Sequence, residues 1–186
     1  MLTQLAANLL DVSRLQAGVL PVFPRPVDLA EIIARSLGSL GPPAQAVKAD
    51  LPPGLPQVIA DPPIMERVIA NLIGNALRYS PAAVPPLVTA TARGGRVELR
   101  VIDHGPGIPE TDRERVFLPF QRLGGPNHRM GVGLGLVVAR GLAEVMGGTV
   151  EPEETPGGGL TMVIGMPAAP GRPAAVAGGA RQMRAA

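Results

Sequence analysis

Apolar residues recur along this chain with two different periods, and each change of period marks an element. Ile64, Val68, Leu72 and Ala76 stand four apart, joined by Ile69 and Ile73, while Arg67, Asn71, Asn75 and Arg78 repeat at helical spacing between them. Such steps place each set on its own side of a helix. Residues 62–79 therefore read as an amphipathic helix, capped by Asp61 and opened by Pro62. Leu29, Ile32, Ile33 and Leu37 predict a second helix, from an Asp28 cap to about Leu40, stopped by Gly41-Pro42-Pro43. A third runs from Gly133 to Met146 and ends at Gly147-Gly148. Elsewhere the period is two. Val97, Leu99 and Val101 alternate with Glu98 and Arg100, which predicts a strand from Arg96 to Asp103 with one buried face. Gly94-Gly95 joins it to a strand over Leu87 to Ala92 as a hairpin. Thr149 to Glu153 and Leu160 to Met166 are the last strands. Val22-Phe23, Val47 to Leu51 and Gln57 to Ala60 are short ones.

These elements make an α+β protein, a two-layer α/β sandwich whose mixed sheet is covered on one face by three helices. Residues 110–116 suit a short helical turn. Residues 121–132 lack periodicity and hold Gly124, Gly125, Pro126 and Asn127, so they read as a mobile loop. The N-terminal residues 1–17 are helical, with Leu2, Leu5, Leu9 and Val12 in a heptad seam too short to form a coiled coil alone. They fit either the end of a longer helical hairpin or an amphipathic helix packed on its own domain. Gly18 ends this helix, and Pro21, Pro24 and Pro26 prevent its continuation. Three segments follow: a remnant helix over 1–20, a domain over 21–167, and a disordered tail rich in Ala, Gly, Pro and Arg over 168–186.

Composition narrows the classes. A chain of 186 residues with 46% hydrophobic and 17% charged residues has enough apolar side chains for one packed domain. Its net charge is +2 and only 2% of residues are aromatic, with no Lys/Arg cluster, which argues against a nucleic-acid partner. With 0 Cys there are no disulfides, thiolate metal sites or cysteine nucleophiles. No apolar run reaches the roughly 18 residues a membrane span needs. The start of the chain lacks the basic region of a signal peptide. A cytoplasmic location is expected.

Four short segments carry candidate chemistry. Asn75 offers a neutral oxygen ligand suited to Mg2+, and Asn71, one turn earlier, can hold a phosphate or a metal-bound water. Arg78 adds a positive charge, although two surface asparagines on an amphipathic helix would look the same. Asp103 ends a strand before His104-Gly105-Pro106-Gly107. Its carboxylate can accept from an exocyclic amine such as that of adenine, but Asp and Gly are also the commonest turn residues. Gly131-Val132-Gly133-Leu134-Gly135-Leu136 opens a helix, whose first amides and positive dipole end bind phosphates. It lacks the spacing and context of a dinucleotide fingerprint, and no lysine-bearing P-loop occurs. Phe117 and Phe120 could clamp the loop over a nucleotide; core packing explains Phe117 as well. Thr161 could reach the base through its hydroxyl.

Together these segments resemble the catalytic ATP-binding domain of sensor histidine kinases. Asn71 to Tyr79 is similar to that family's N box, Asp103 to Gly107 to its G1 box, Phe117 to Phe120 to its F box and Gly131 to Leu136 to its G2 box. Gly158-Gly159-Leu160-Thr161 resembles the closing glycine-threonine segment. Leu10 to Gly18 is similar to the end of the dimerisation and phosphotransfer hairpin of KdpD-type kinases. The resemblance implies a Bergerat fold that binds ATP and Mg2+, with Asn75 on the metal and Asn71, Arg78 and Tyr79 beside it. It places Asp103, Gly105, Gly107 and Thr161 around adenine, Phe120 in the flap and residues 131–136 at the phosphates. It implies transfer of the γ-phosphoryl group to a histidine. Its partners would be a phosphoacceptor helical hairpin, a response regulator and, through an extended N-terminal helix, a second copy of the chain. Gyrase-like ATPases carry a glutamate base where Asn71 stands, and an amide cannot take that proton.

Two departures stand out. The only histidines, His104 and His128, fall within the nucleotide motifs and not on an upstream helix, so the acceptor is expected outside this chain, as in a fragment of a kinase. His104 also replaces a common Asn, and Met146 stands where many members have His.

Overall fold

The computed structural model describes residues 2–121 and 133–170. Its first helix, α1 (Leu2–Ala17), leads through a proline-rich segment to strand β1 (Arg25–Val27). Helix α2 (Leu29–Leu40), strands β2 (Lys48–Asp50) and β3 (Val58–Ala60), and helix α3 (Pro62–Tyr79) follow. The hairpin β4 (Leu87–Arg93) and β5 (Arg96–Ile102) precedes helix α4 (Gly135–Val145) and strands β6 (Thr149–Glu154) and β7 (Leu160–Pro167). The main sheet has 5 strands in the order β2-β4-β5-β7-β6; β2 pairs parallel with β4, and the other pairs are antiparallel.

Local chemistry explains the helix starts. The Asp28 carboxylate accepts from the Ala30 amide at 2.7 Å. Asp61 does more: Oδ1 caps α3 at the Ile64 amide, and Oδ2 accepts from the Phe23 amide at 2.8 Å. One buried carboxylate thus starts the site-bearing helix and anchors the proline-rich segment before β1. The α3 stripe of Ile64, Met65, Val68, Ile69, Leu72, Ile73 and Ala76 is buried against the sheet. Fully burying one such Leu or Ile stabilises by about 1.5–3 kcal/mol. Helices α2 and α4 flank α3, and Val97, Leu99 and Val101 meet them from β5. On the far face of the sheet, Arg100 of β5 bonds Glu153 of β6, two strands away, at 2.6 Å and Glu98 of its own strand at 3.2 Å.

Four details differ from the sequence expectations. The early strand is Arg25–Val27 rather than Val22-Phe23, and it pairs with β3 in a separate 2-stranded sheet. The helical turn over 110–116 is two 3-10 turns, Glu110–Asp112 and Arg115–Phe117. Helix α4 starts two residues later than expected, because Gly133 takes a left-handed φ of 74 that no α-helix accommodates. Ala168 and Ala169 are not tail: their amides bond Gly95 and Gln57 carbonyls at 2.9 and 2.7 Å. The rest of the expected tail, 171–186, and the loop residues 122–132 lie outside the described residues.

For α1 the structure shows the second of the two arrangements the sequence allowed, a helix packed on its own domain. Asn8 and Asp11 are buried and Leu15 packs against the domain core, so the helix is docked on its own domain. Leu9 and Leu10 point outward, 44% and 58% exposed. Of the seam residues, Val12 packs against the core while Leu9 faces outward.

Candidate functional site

Helix α3 carries Arg67, Asn71, Asn75 and Arg78 along its polar stripe, and all of them, with Tyr79, line one cavity of about 740 Å³. From Arg67 to Tyr79 the helix rises about 18 Å. The cavity is thus elongated, with the end of β5 at one extreme and α1 at the other.

The first end is wired by backbone. Asp103 is 3% exposed, and its Oδ1 accepts from the Gly105 amide at 2.9 Å and the Leu160 amide at 3.1 Å. The Asp103 amide in turn donates to the Leu160 carbonyl at 2.9 Å. Both fixing bonds fall on one oxygen, which leaves Oδ2 as an acceptor for a donor entering the cavity. Burial raises the Asp103 pKa above its ordinary value, opposed by the two amide bonds. Glycine is required for these backbones to meet. A Cβ on Gly159 would lie 2.0 Å from the Asp103 carbonyl oxygen, and one on Gly105 would lie 2.7 Å from the Tyr79 carbonyl oxygen. Gly107, Ile108 and Leu160 complete the apolar wall.

The middle holds two amides and a helix start. Gly133, Leu134, Gly135 and Leu136 face Asn71 and Asn75, and a Cβ on Gly135 would stand 3.8 Å from Asn71 Oδ1. Among the described residues no side chain caps α4, which leaves its first amides for a ligand. The Phe120 amide bonds the Gly133 carbonyl at 3.2 Å, joining the two ends of the segment 122–132. Phe120 itself has φ 63, a left-handed conformation that costs a non-glycine residue about 1–3 kcal/mol.

The far end is built from charge. Asp11 of α1 is buried, and Arg67 holds it with both guanidinium amino groups, Nη1 bonding Oδ1 at 2.7 Å. Burial lowers the Arg67 pKa. Asn8 and Arg14 line the cavity beside this pair.

The structure thus brings Asn71, Asn75, Arg78, Tyr79, Asp103, Gly107 and residues 133–136 to one cavity; Gly131, Val132 and His128 lie outside the described residues. Gly105 stands just behind Asp103. Three expectations are corrected. Thr161 does not line the cavity: it is buried, and its hydroxyl is 2.9 Å from that of Thr155. Strand alternation turns Leu160, not Thr161, toward the site. Phe120 is 62% exposed and off the cavity wall, while Phe117 packs in the core beneath the Arg140 guanidinium, 3.3 Å from the ring centroid. His104 also lies off the cavity wall, its amide bonded to Ser80 Oγ at 3.4 Å. Sequence reasoning missed Asn8, Asp11, Arg14 and Arg67. Only the position of Arg67 on the Asn71–Asn75 stripe could have pointed to any of them.

A polar helix stripe, a buried carboxylate and a glycine-led helix around one cavity, under a mixed sheet, define a nucleotide-binding domain of the ATPase type. The family model that describes the histidine kinase-, DNA gyrase B- and HSP90-like ATPases matches residues 60–170, and the chain belongs to that family. Within it the similarity is to sensor histidine kinases. The sensor protein KdpD of Rathayibacter rathayi is 47% identical over 168 residues, covering 90% of this chain and 20% of that protein. KdpD of Escherichia coli K12 is 33% identical over 166 residues, 89% of this chain and 19% of that protein. The chain thus spans about one fifth of the length of these curated relatives. Among solved structures, full-length ShkA in complex with AMPPNP is 29% identical with a TM-score of 0.77, covering 90% of this chain and 36% of that one. The mycobacterial sensor histidine kinase MprB is 28% identical with a TM-score of 0.68, covering 78% of this chain and 98% of that one. The described fold is the Bergerat fold of histidine kinase ATP-binding domains.

Proposed function

We propose that this chain binds ATP with Mg2+ and donates the γ-phosphoryl group to a histidine on a separate phosphoacceptor hairpin, from which a response regulator would take it. The observation that carries the reading is the convergence of Asn71, Asn75, Asp103 and the start of α4 on one elongated cavity. Asp103 Oδ2 accepts from the adenine amine, and the rigid walls around Gly107 and Leu160 exclude water from the base. The triphosphate then lies along α3, past Arg78 and Asn75, toward Asn71 and the amides of α4. Asn75 and Asn71 supply neutral oxygens, a donor set that fits an ion already held by phosphates. Among the described residues no group of three or more His, Asp or Glu side chains could hold a metal without the nucleotide. When bound, Mg2+ would offset phosphate charge as the terminal bond breaks.

Residue 71 sets the reaction type. Its amide cannot take a proton from water at neutral pH, so the site has no general base there for hydrolysis. Catalysis comes from positioning and charge, and the acceptor must bring its own nucleophile. Residues 21–167 form the catalytic unit in this reading, and 1–20 end the dimerisation helix. Through that helix, extended upstream, two copies would pair. The location is the cytoplasm, where ATP is available; no helix among the described residues is long and apolar enough to cross a membrane.

The test is incubation with γ-labelled ATP, Mg2+ and a separately made phosphoacceptor hairpin. Acid-labile, base-stable label on the hairpin histidine is expected. Steady multiple-turnover hydrolysis by the chain alone, or label on serine, would replace this reading with a hydrolase or a serine kinase of the same fold. Failure to bind ATP at millimolar concentration would leave a module with no nucleotide chemistry.

A further inference from the structure

The ion pair between Asp11 and Arg67 belongs to no part of the chemistry above, yet it occupies the same cavity. Arg67 lies one helical turn before Asn71, about 6 Å along α3, on the stripe that the triphosphate follows. Asp11 arrives from α1, 56 residues away in sequence, and is almost completely buried. Nothing else charged on α1 is buried with it. Further along the helix, Leu15 packs against α4 so closely that a Cβ on Gly141 would stand 2.8 Å from its Cδ1. A guanidinium at this place has two suitors of like charge, the Asp11 carboxylate and the terminal phosphate of a bound nucleotide. It can satisfy one fully and the other only in part.

We propose that Asp11 and Arg67 form a charge latch that holds α1 across the phosphate end of the cavity, and that a bound triphosphate competes with Asp11 for Arg67. Nucleotide binding and docking of α1 then oppose each other. ATP loosens the helix, and the docked helix weakens ATP. Opening of the latch also clears the end of the cavity through which the terminal phosphoryl group must leave. The inference rests on the nucleotide reading above, and it adds a regulator of that site. Arg67 is here a phosphate-binding residue, and Asp11 a competitor of the ligand.

The two halves of the latch predict opposite effects, which a merely structural ion pair does not. In the 186-residue chain, Asp11→Asn frees Arg67 and should tighten MgATP about three- to tenfold, while Arg67→Gln should weaken it by a similar factor. Adenosine, which carries no phosphate, should bind both variants and the unmodified chain alike. Hydrogen exchange on the unmodified chain gives a reading that needs no variant: MgATP should speed exchange of the amides of residues 6–17. Opposite shifts with faster α1 exchange support the latch. Shifts of the same sign in both variants, or α1 exchange unchanged or slowed by MgATP, overturn it while leaving nucleotide binding intact. If the unmodified chain binds no ATP, the nucleotide reading falls, and the latch with it.

Discussion

The two ends of the cavity are built in opposite ways. At the Asp103 end, three backbone segments are packed at distances that admit no Cβ, and one carboxylate oxygen takes two amides. At the Arg67 end, long charged side chains from two helices meet, and the Arg67 side chain keeps 38% of its surface exposed. A rigid frame suits recognition of a flat, uncharged base, where the position of a single acceptor decides the fit. Movable charges suit a group that must be released. Under the proposed function, the Asp103 end would set what binds and the Arg67 end would set when it reacts.

The contrast breaks most severely at Gly159. A Cβ there would lie 2.0 Å from the Asp103 carbonyl oxygen, on a backbone with φ +121. Gly159→Ala should cost at least about 3 kcal/mol of stability, measured by urea unfolding. A shift under about 1 kcal/mol would show that the base end is not the rigid frame described.

Asp103 separates fold from recognition. Asparagine can keep both amide bonds on its Oδ1 but presents an NH2 where the ligand amine must donate. Asp103→Asn should therefore fold normally and lose about ten- to a hundredfold in affinity for adenine nucleotides. Asp103→Ala should also destabilise, by about 1–3 kcal/mol for the orphaned amides. Calorimetric titration showing less than a twofold change in the Asn variant would remove Asp103 from the site.

Ionic strength sharpens the same contrast from the other end. Between low salt and about 0.5 M salt, screening should weaken ATP by roughly five- to tenfold and leave adenosine nearly unchanged. Equal losses for both ligands would place charge at both ends of the cavity.

The smallest effect is on the pH dependence of stability. Burial raises the Asp103 pKa above 3.8, so the folded chain holds this proton to higher pH than the unfolded chain. The resulting stabilisation is fully present below the unfolded value and is lost as pH rises through the folded value. Unfolding of the unmodified chain and of Asp103→Asn, compared from pH 4 to 7, should show the unmodified chain losing stability relative to the variant as pH rises. Parallel curves would mean that burial does not govern this carboxyl.

How far each end could be read from the sequence follows the same division. The α3 stripe, its Asp61 cap, the hairpin and the glycine-led start of α4 all rest on interactions within a few residues, so local periodicity and capping expose them. Asp103 was legible because a carboxylate between a strand and a glycine turn is a local pattern. Thr161 was misplaced by one step of strand alternation, since only its pairing with β6 and its contact with Thr155 settle which face it takes. Phe117 and Phe120 share one motif, yet one is buried in a 3-10 turn and the other, at a left-handed φ of 63, is 62% exposed.

By itself the sequence determined the element order and the buried stripes of α2 and α3, because helix and strand periods and turn chemistry are short-range. Tertiary structure alone decided that Asp11 faces Arg67 across 56 residues, that α1 turns Asn8 inward and Leu9 outward, and that the small sheet of β1 and β3 stands apart from the main one. Those outcomes depend on which surfaces remain to be covered once the core has closed, and no local pattern along the chain records that.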